Sequence, residues 1–382
     1  MKIASIKTYT LSASLERPLL FGIGAFGTFT ATLVEVRTDE GHVGWGEAIA
    51  RKAPEVVTTV IHRLLAPLLL GRDPRDLEGL WDLQFEQLRR WGHSRGFVLE
   101  ALSGIDIALH DLLARAAGLP LYKFLGGAGR TTVACYASSV YFAPIDQMAA
   151  EAAAQVAGGH VAIKVKIGRP PELGGLRADI ASVRAVREAV GPAVEIMLDA
   201  NGAYDAATAV RVARQLEPLD IAWLEEPVPP DDVSGYALLR QHTAIPLACG
   251  ESEFGVFGFR DLIERRAIDI LQPEIARIGG FVGARRAAAL AHAYNLRIAP
   301  HTGFSGGVAH LAALHLAAAL PNVATYEYFY APNALRDLFV HPFPAPQHGT
   351  VALPTAPGLG LDLDWDRVRR YEVPLTAHTS SR

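Results

Sequence analysis

The run Val194-Glu195-Ile196-Met197-Leu198-Asp199 is short, mostly apolar and ends on a carboxylate. Two later runs have a similar form, Ile221 to Glu225 and Ile245 to Gly250, the second followed by Glu251. Apolar runs of this length, separated by Ala-rich stretches of helical spacing, predict buried strands that alternate with helices. The alternation continues from residue 131 to about residue 330 and predicts a closed parallel barrel. The predicted strands are Thr132–Ala137, Val161–Ile167, Val194–Asp199, Ile221–Glu225, Ile245–Gly250, Ile268–Gln272, Arg297–Pro300 and Thr325–Tyr328.

Polar side chains recur where the predicted strands end. Lys164 and Lys166 lie in the second strand, and acidic or basic residues follow the later strands. From Asp199 onward these residues are 23 to 27 positions apart, which is about one strand and one helix each. Because a barrel carries its active site at the carboxyl ends of its strands, this spacing predicts one shared site. The strand-end residues are Asp199, Glu225, Glu251, Glu274, His301 and Glu327.

Three adjacent predicted strands end on Asp199, Glu225 and Glu251. An unpaired carboxylate is costly to bury, so a cation or a set of hydrogen-bond donors is expected beside each of them. For one carboxylate a helix cap or an arginine partner is the simpler explanation, but three in register favour a metal. Oxygen ligands without a nearby Cys or His are typical of Mg²⁺, and Mn²⁺ is a possible substitute.

Lys164 and Lys166 are two residues apart on a strand, so their side chains point to the same side. The apolar Ile163, Val165 and Ile167 then face the helices, which argues against a pair of solvated lysines. Mutual repulsion and partial burial are expected to lower the pKa of both amines, which allows a lysine to accept a proton near neutral pH. Lys166 is nearer the end of the strand and is the predicted base.

His301 follows the seventh predicted strand, and Glu274 follows the sixth. A carboxylate on the neighbouring strand is expected to bind one imidazole nitrogen, fix the tautomer and hold a charged form that donates a proton. A lone histidine is more often structural. This partner and this position favour an acid–base role instead.

The opening third of the chain has a different pattern, in which strand-like and helical stretches do not alternate regularly. We predict an α+β domain over residues 1–130, a barrel over residues 131–348, and a C-terminal segment, 349–382, that returns to the first domain. The predicted elements of the first domain are strands at Lys2–Thr10 and Thr28–Arg37 and helices at Val56–Leu69, Leu77–Arg89 and Leu99–Ala117.

Composition and charge argue against several classes of partner. The 382-residue chain has a formal net charge of -4 and a pI near 6.4, so it lacks the basic field expected of a nucleic-acid-binding protein. Apolar runs are too short for a membrane helix, so a cytoplasmic protein with a small-molecule partner is expected.

Gly22, Gly24 and Gly27 fit a dinucleotide-binding pattern, but a strand-like stretch follows them, so a flap is predicted instead.

Several motifs together resemble the enolase superfamily, specifically its mandelate-racemase-like branch, over nearly the whole chain. The resemblance implies an α+β capping domain over a modified (β/α)7β TIM barrel, and a homo-oligomer is expected. The matching motifs are Gly44-Trp45-Gly46-Glu47, Ser103-Gly104-Ile105-Asp106, Lys164-Val165-Lys166, Asp199-Ala200-Asn201, Glu225-Glu226-Pro227, Gly250-Glu251, Gln272-Pro273-Glu274, Gly279-Gly280, His301, Glu327 and Gly358-Leu359-Gly360.

The resemblance also implies a role for each site residue. Glu327 is expected to bind the substrate carboxylate or the enediolate, and Asn201 to contact the substrate. Glu274 stands where this branch usually has an Asp as the partner of His301. The implied catalytic residues are Lys164, Lys166, Glu274, His301 and Glu327, and the implied Mg²⁺ ligands are Asp199, Glu225 and Glu251.

The predicted reaction is removal of the proton next to a carboxylate, through an enediolate. With Lys166 as base and protonated His301 as acid, dehydration of an acid sugar to a 2-keto-3-deoxy acid is favoured. A racemase, an epimerase or a lactone cycloisomerase needs the same residues. The complete metal triad argues against a non-catalytic barrel and against a nicotinamide-dependent oxidoreductase. Phe21 and Phe26 are expected to contact the substrate from an apolar flap, and Arg95 to add a polar contact.

Overall fold

The computed structural model describes residues 1–49, 51–127 and 129–374. Its first domain has a three-stranded antiparallel sheet, in the order β1-β2-β3, packed against helices. A π-helical turn, Ile61–Leu65, joins the first two helices. The elements are β1 (Ile3–Phe21), β2 (Gly24–Thr38), β3 (Val43–Ile49), α1 (Pro54–Val60), α2 (Ala66–Leu69), α3 (Leu77–Arg89), α4 (Phe97–Ala116) and α5 (Leu121–Phe124).

The second domain alternates strands and helices. Its elements are β4 (Thr132–Val140), α6 (Ile145–Ala157), β5 (Ala162–Lys166), α7 (Gly175–Val190), β6 (Glu195–Asp199), α8 (Ala206–Leu216), β7 (Ile221–Glu225), α9 (Val233–Arg240), β8 (Leu247–Cys249), α10 (Gly255–Glu264), β9 (Ile270–Leu271), α11 (Gly280–Ala293), β10 (Arg297–Ile298), α12 (Gly307–Ala319) and β11 (Tyr326–Phe329). None of the helices in the described ranges is long and apolar enough to cross a membrane.

The strands of the second domain form a parallel barrel in the order β10-β9-β8-β7-β6-β5-β4-β11. Closure between β10 and β11 is made just before β11, where the Ala324 N–H donates to the Ile298 carbonyl at 2.7 Å. The predicted parallel barrel of eight strands is confirmed, although β9 and β10 are only two residues long. Ile163, Val165 and Ile167 are fully buried in the main hydrophobic core, as predicted for the helix-facing side of β5.

The predicted flap is the tip of a hairpin formed by β1 and β2. The two strands pair as far as Phe21 and Gly24, so a strand and not a helix follows the glycines. This geometry does not form the strand-to-helix turn of a dinucleotide site. A Cβ atom at Gly22 would lie 2.5 Å from the Ala200 carbonyl oxygen, which places the tip directly against the carboxyl ends of β5 and β6.

Helix α4 packs on β3 through glycine residues. A Cβ atom at Gly46 would overlap the Gly104 carbonyl oxygen, and one at Gly104 would lie 2.9 Å from Val34 Cγ2. The backbones of β3 and α4 therefore approach too closely for a side chain at either position. This explains why both motifs have glycine there.

We expect Gly46→Ala to destabilise the protein by about 2–3 kcal/mol, because the added methyl group meets backbone that cannot move aside cheaply. The midpoint of urea unfolding measures this change. Gly79→Ala in α3 is the matched control, since its Cβ would meet open space. The control should gain up to about 1 kcal/mol from helix propensity. Equal midpoints for wild type and Gly46→Ala would show that this contact is not close.

Acidic residues of the first domain cap two barrel helices. Asp106 in α4 accepts the Phe281 N–H at 2.5 Å, at the start of α11. Glu47 in β3 accepts the N–H groups of Gly306 at 2.5 Å and Ala309 at 3.1 Å, at the start of α12. The first turn of a helix has unpaired N–H groups and a partial positive charge, so each carboxylate stabilises the helix that it caps.

The C-terminal tail contacts both domains. Its strand β12 (Thr350–Ala352) pairs antiparallel with β4, and its helix α13 (Trp365–Tyr371) packs on the first sheet. Asp111 in α4 accepts the N–H groups of Trp45 at 2.9 Å and Leu359 at 2.7 Å. Residues 375–382 of the predicted C-terminal segment lie outside the described residues.

A buried histidine in α12, His315, also connects the first domain with the tail. The Tyr122 N–H donates to its Nδ1 at 3.1 Å, so Nε2 carries the proton and donates to the Leu359 carbonyl at 3.0 Å. Burial lowers the pKa of His315 from 6.5 to about 4. The neutral ring is therefore the form that the fold requires.

We expect the protein to lose about 3 kcal/mol of stability at His315 as the pH falls from about 6.5 to about 4. In this window the unfolded ring binds a proton and the folded ring does not, so acid favours unfolding. His310 contributes in the same direction, because burial lowers its pKa to about 3. Urea midpoints measured against pH should therefore have a smaller slope in His315→Gln than in wild type, and equal slopes would contradict the prediction.

Candidate active site

The barrel gathers the predicted catalytic and metal-binding residues at the carboxyl ends of its strands. Each of these residues is buried and at most 3% exposed. Lys164 and Lys166 lie on β5, Asp199 ends β6, Glu225 ends β7, Glu251 follows β8, Glu274 follows β9, His301 follows β10, and Glu327 lies on β11. The spacing seen in the sequence thus corresponds to one continuous group of side chains.

Lys166 lies beside the Asp199 carboxylate. Its Nζ donates to Asp199 Oδ2 and, at 2.9 Å, to Asn201 Oδ1. The ring centroids of Phe21 and Tyr141 are 5.6 Å and 5.8 Å from Nζ, which is within the range of a cation–π contact. The amine therefore contacts both polar acceptors and aromatic rings.

Lys164 is surrounded by carboxylates. Its Nζ lies 2.8 Å from Glu225 Oε1 and 2.7 Å from Glu327 Oε1. The prediction that repulsion and burial lower the pKa of both lysines is wrong for Lys164. Burial does lower its pKa, but Glu225 and Glu327 outweigh burial and raise the pKa well above its usual value. Lys164 therefore serves as a fixed positive charge.

His301 is enclosed by three carboxylates. Its Nδ1 lies 2.9 Å from Glu274 Oε2, and its Nε2 lies 2.8 Å from Glu251 Oε2 and 3.7 Å from Glu327 Oε2. Glu274 thus reaches the imidazole although it is one methylene longer than Asp. Burial lowers the pKa of His301, but Glu251, Glu327 and Glu274 raise it to about 10.

In the order of barrel strands, three carboxylates lie between Lys166 and His301: Asp199, Glu225 and Glu251. Within the described residues, possible ligand atoms of Glu225, Glu251 and His301 lie within 4.8 Å of one another. This group shares Glu225 and Glu251 with the predicted Mg²⁺ ligands. The third predicted ligand, Asp199, pairs with Glu225 in the parallel register of β6 and β7 and is hydrogen-bonded to Lys166.

Two buried carboxylate oxygens here have no hydrogen-bond donor among the described residues, Glu251 Oε2 and Glu226 Oε1. His301 Nε2 is close to the first oxygen but not at a hydrogen-bonding angle. Burial, followed by the charges of Glu251, Asp199 and Glu225, raises the pKa of Glu226 well above its usual value. Buried negative charge with oxygens free to coordinate fits a hard divalent cation such as Mg²⁺.

An aromatic group covers this end of the barrel. The Phe304 ring centroid lies 5.5 Å from that of Phe21 and 4.2 Å from that of Phe26, so the structure places both predicted flap residues here. Arg95 is not part of this group. Its guanidinium pairs with Glu253 at 3.0 Å, and its side chain is 55% exposed.

Gln272 and Arg51 are among the site residues that were not predicted from the sequence. Gln272 Nε2 donates to Glu225 Oε2 at 2.6 Å, and its position at the end of β9 was a usable signal. Arg51 Nη1 donates to Glu251 Oε1 at 2.9 Å from the other domain, 200 residues earlier in the chain. Strand-end spacing could not have indicated Arg51, because that spacing describes the barrel alone.

Two family profiles match the chain. "Mandelate racemase / muconate lactonizing enzyme, N-terminal domain" matches residues 5–126, and "Enolase C-terminal domain-like" matches residues 147–367. The chain belongs to the mandelate-racemase-like branch of the enolase superfamily. The modified TIM barrel with a capping domain is the fold of this superfamily, and its solved relatives share it over almost their full length.

Relatives of this enolase-superfamily chain include isomerases and lyases. It is 33% identical to a D-galactarolactone cycloisomerase of Agrobacterium fabrum, over 98% of this chain and 100% of that protein. It is 34% identical to a D-xylonate dehydratase of Haloferax volcanii, over 91% and 86% of the two chains. An L-talarate dehydratase of Polaromonas sp. JS666, solved with magnesium and L-glucarate, superimposes with a TM-score of 0.86 at 33% identity and covers 98% of each chain. The protein is a lyase or an isomerase of the enolase superfamily.

Proposed function

We propose that this protein dehydrates an acid sugar to a 2-keto-3-deoxy acid and that Asp199, Glu225 and Glu251 hold Mg²⁺. The observation that carries the proposal is the position of Lys166 and His301 at opposite ends of this row of carboxylates. Lys166 contacts Asp199, and His301 contacts Glu251. A substrate bound over the middle of the row has its reacting carbons between a base and an acid.

Side chains of this protein carry out both proton transfers that lead to loss of water. The neutral form of Lys166 takes the proton from the carbon next to the carboxylate. Lys164 supplies a fixed positive charge to the substrate oxygens. Mg²⁺ held by Asp199, Glu225 and Glu251 would supply Lewis-acid stabilisation of the negative charge that develops on those oxygens. His301, oriented by Glu274, gives a proton to the β-hydroxyl group, which leaves as water while the carbon–carbon double bond forms. The resulting enol then tautomerises to the 2-keto-3-deoxy acid.

The aromatic group of Phe21, Phe26 and Phe304 supports this chemistry by limiting access of water to Lys166. The Lys166 amine lies 5.6 Å from the Phe21 ring centroid and also donates to Asp199. Less water strengthens the electrostatic interactions inside the site and protects the enediolate from unwanted protonation.

Cycloisomerisation of a sugar-acid lactone is a second candidate. It also begins with removal of a proton next to a carbonyl carbon, but the leaving group is a ring oxygen. Two observations support it. This chain aligns with the full length of the A. fabrum cycloisomerase, and the aromatic group over the site suits a compact ring. The expected cytoplasmic location and homo-oligomeric assembly stay predictions.

The test is incubation with Mg²⁺ and a library of acid sugars and their lactones in D₂O. NMR records exchange of the α-proton, and semicarbazide detects 2-keto acids. Exchange with keto-acid formation from open-chain acids supports dehydration, whereas opening of a lactone to a keto acid supports cycloisomerisation. Exchange with inversion and no keto acid would indicate a racemase or an epimerase and would overturn the proposal. A parallel sample with excess chelator should show neither α-proton exchange nor product formation.

A further inference from the structure

Arg51 has an unused pair of hydrogen-bond donors at the barrel mouth. Its Nη1 donates to Glu251 Oε1 at 2.9 Å, but its Nε and Nη2 are enclosed and have no hydrogen-bond partner among the described residues. Nε and Nη2 lie on the same edge of the guanidinium, and this edge binds a carboxylate through two parallel hydrogen bonds. Enclosing charged donors without an acceptor is costly, which indicates an acceptor supplied by a ligand.

A nearby arginine provides the contrast. Arg277 Nε donates to Glu100 Oε1 at 3.0 Å, and its Nη1 donates to the Glu251 carbonyl at 3.0 Å. Arg277 therefore uses both sides of its guanidinium on the protein, as expected of a structural arginine. Arg51 uses one side only.

Arg51 and Lys166 both lie against the aromatic group of Phe21, Phe26 and Phe304. The Phe304 ring centroid lies 5.5 Å from Arg51 Cζ, and the same ring contacts Phe21, which covers Lys166. Phe304 has a φ of +65°, a strained conformation for a residue with a side chain, in the loop after His301. A ligand that displaces the Phe304 ring would therefore come within reach of the Arg51 guanidinium.

We propose that Arg51 binds a second carboxylate of the substrate, at the end remote from the reacting carbon. The enzyme then prefers acid sugars with two carboxylates (aldarates) to those with one (aldonates). An aldonate carries a hydroxymethyl group at that end, which leaves a buried charged donor without a partner, and such losses discriminate strongly. This inference rests on the proposed function, because it names the substrate class of the same site.

The experiment compares binding within matched pairs, galactarate with D-galactonate and D-glucarate with D-gluconate. Calorimetry is done with Mg²⁺ in a Lys166→Met background, so that no ligand is consumed. We expect the better aldarate to bind about 100-fold more tightly than its aldonate when Arg51 is present. Arg51→Met should reduce this ratio to about 3 or less, and Arg51→Lys, which keeps the charge but loses the two-donor edge, should reduce it about tenfold.

Lys52→Met is the matched control, because it removes one positive charge from the exposed neighbouring residue. The control should keep the full preference for aldarates. An equal ratio in wild type and Arg51→Met, or an equal loss of both ligands in the variant, would overturn the inference. Failure of the proposed function has a different signature, since selective aldarate binding would persist while the protein with Lys166 intact gave neither proton exchange nor keto acid.

Discussion

Replacement of Lys166 by methionine is expected to reduce both turnover and α-proton exchange by about 1,000-fold or more. Methionine keeps much of the side-chain volume under the Phe21 ring but cannot accept a proton. Because the exchange assay detects the first chemical step alone, it separates loss of the base from loss of the later proton transfer to the leaving group. The two rates should therefore fall together.

Binding of a divalent cation by Lys166→Met shows whether this variant is correctly folded. The Lys166 amine contacts Asp199 Oδ2, so removing the positive charge should leave divalent-cation binding intact or make it tighter. Binding of Mn²⁺, followed by electron paramagnetic resonance, measures this property without turnover. Lys52→Met, at an exposed lysine, should leave both rates unchanged. Exchange above a tenth of the wild-type rate in Lys166→Met would rule out Lys166 as the base.

Glu251→Gln is expected to weaken divalent-cation binding by at least about 100-fold, more than is typical for the loss of a residue that only contacts a ligand. Its Oε2 has no hydrogen-bond donor among the described residues and is free to coordinate, while its Oε1 is held by Arg51. The amide removes one negative charge from the site and leaves Arg51 without its ion-pair partner. Turnover should fall in parallel, and excess Mg²⁺ should restore part of it.

Glu253→Gln provides the comparison for this variant. It is two residues away and makes the same change of charge, but its carboxylate pairs with Arg95 on the surface side. Its Mn²⁺ affinity should stay within about threefold of wild type. Unchanged Mn²⁺ affinity in Glu251→Gln itself would show that Glu251 is not a metal ligand. The predicted assignment of Asp199, Glu225 and Glu251 would then have to be revised.

The sequence predicted the barrel and the arrangement of its mouth because both repeat along the chain. Asp199, Glu225 and Glu251 follow successive strands, and parallel strands bring their carboxyl ends to one side whatever the helices between them contain. The pairing of His301 with Glu274 follows from the same register, since β9 and β10 are neighbours. The catalytic roles and the domain limits at residues 130 and 348 stay predictions.

Features that depend on contacts between distant elements could not be predicted in this way. The pKa of Lys164 was expected to fall, because the neighbouring Lys166 was the only charge visible on its strand. Glu225 on β7 and Glu327 on β11 reverse the direction, and no local pattern places them against Lys164. Arg51 was missed for a related reason, since it enters the site from the first domain.

In the first domain, the residues that support the barrel and the residues that lie over the site are in separate stretches of sequence. Glu47 and Asp106 supply acceptors that barrel helices α12 and α11 need at their first turns, so replacing the whole domain with a foreign one would leave those turns frayed. The hairpin tip near Gly22 only lies over the mouth. Substitutions that change substrate preference can therefore accumulate at the tip during evolution, or be selected there in the laboratory. The contacts that cap α11 and α12 stay the same.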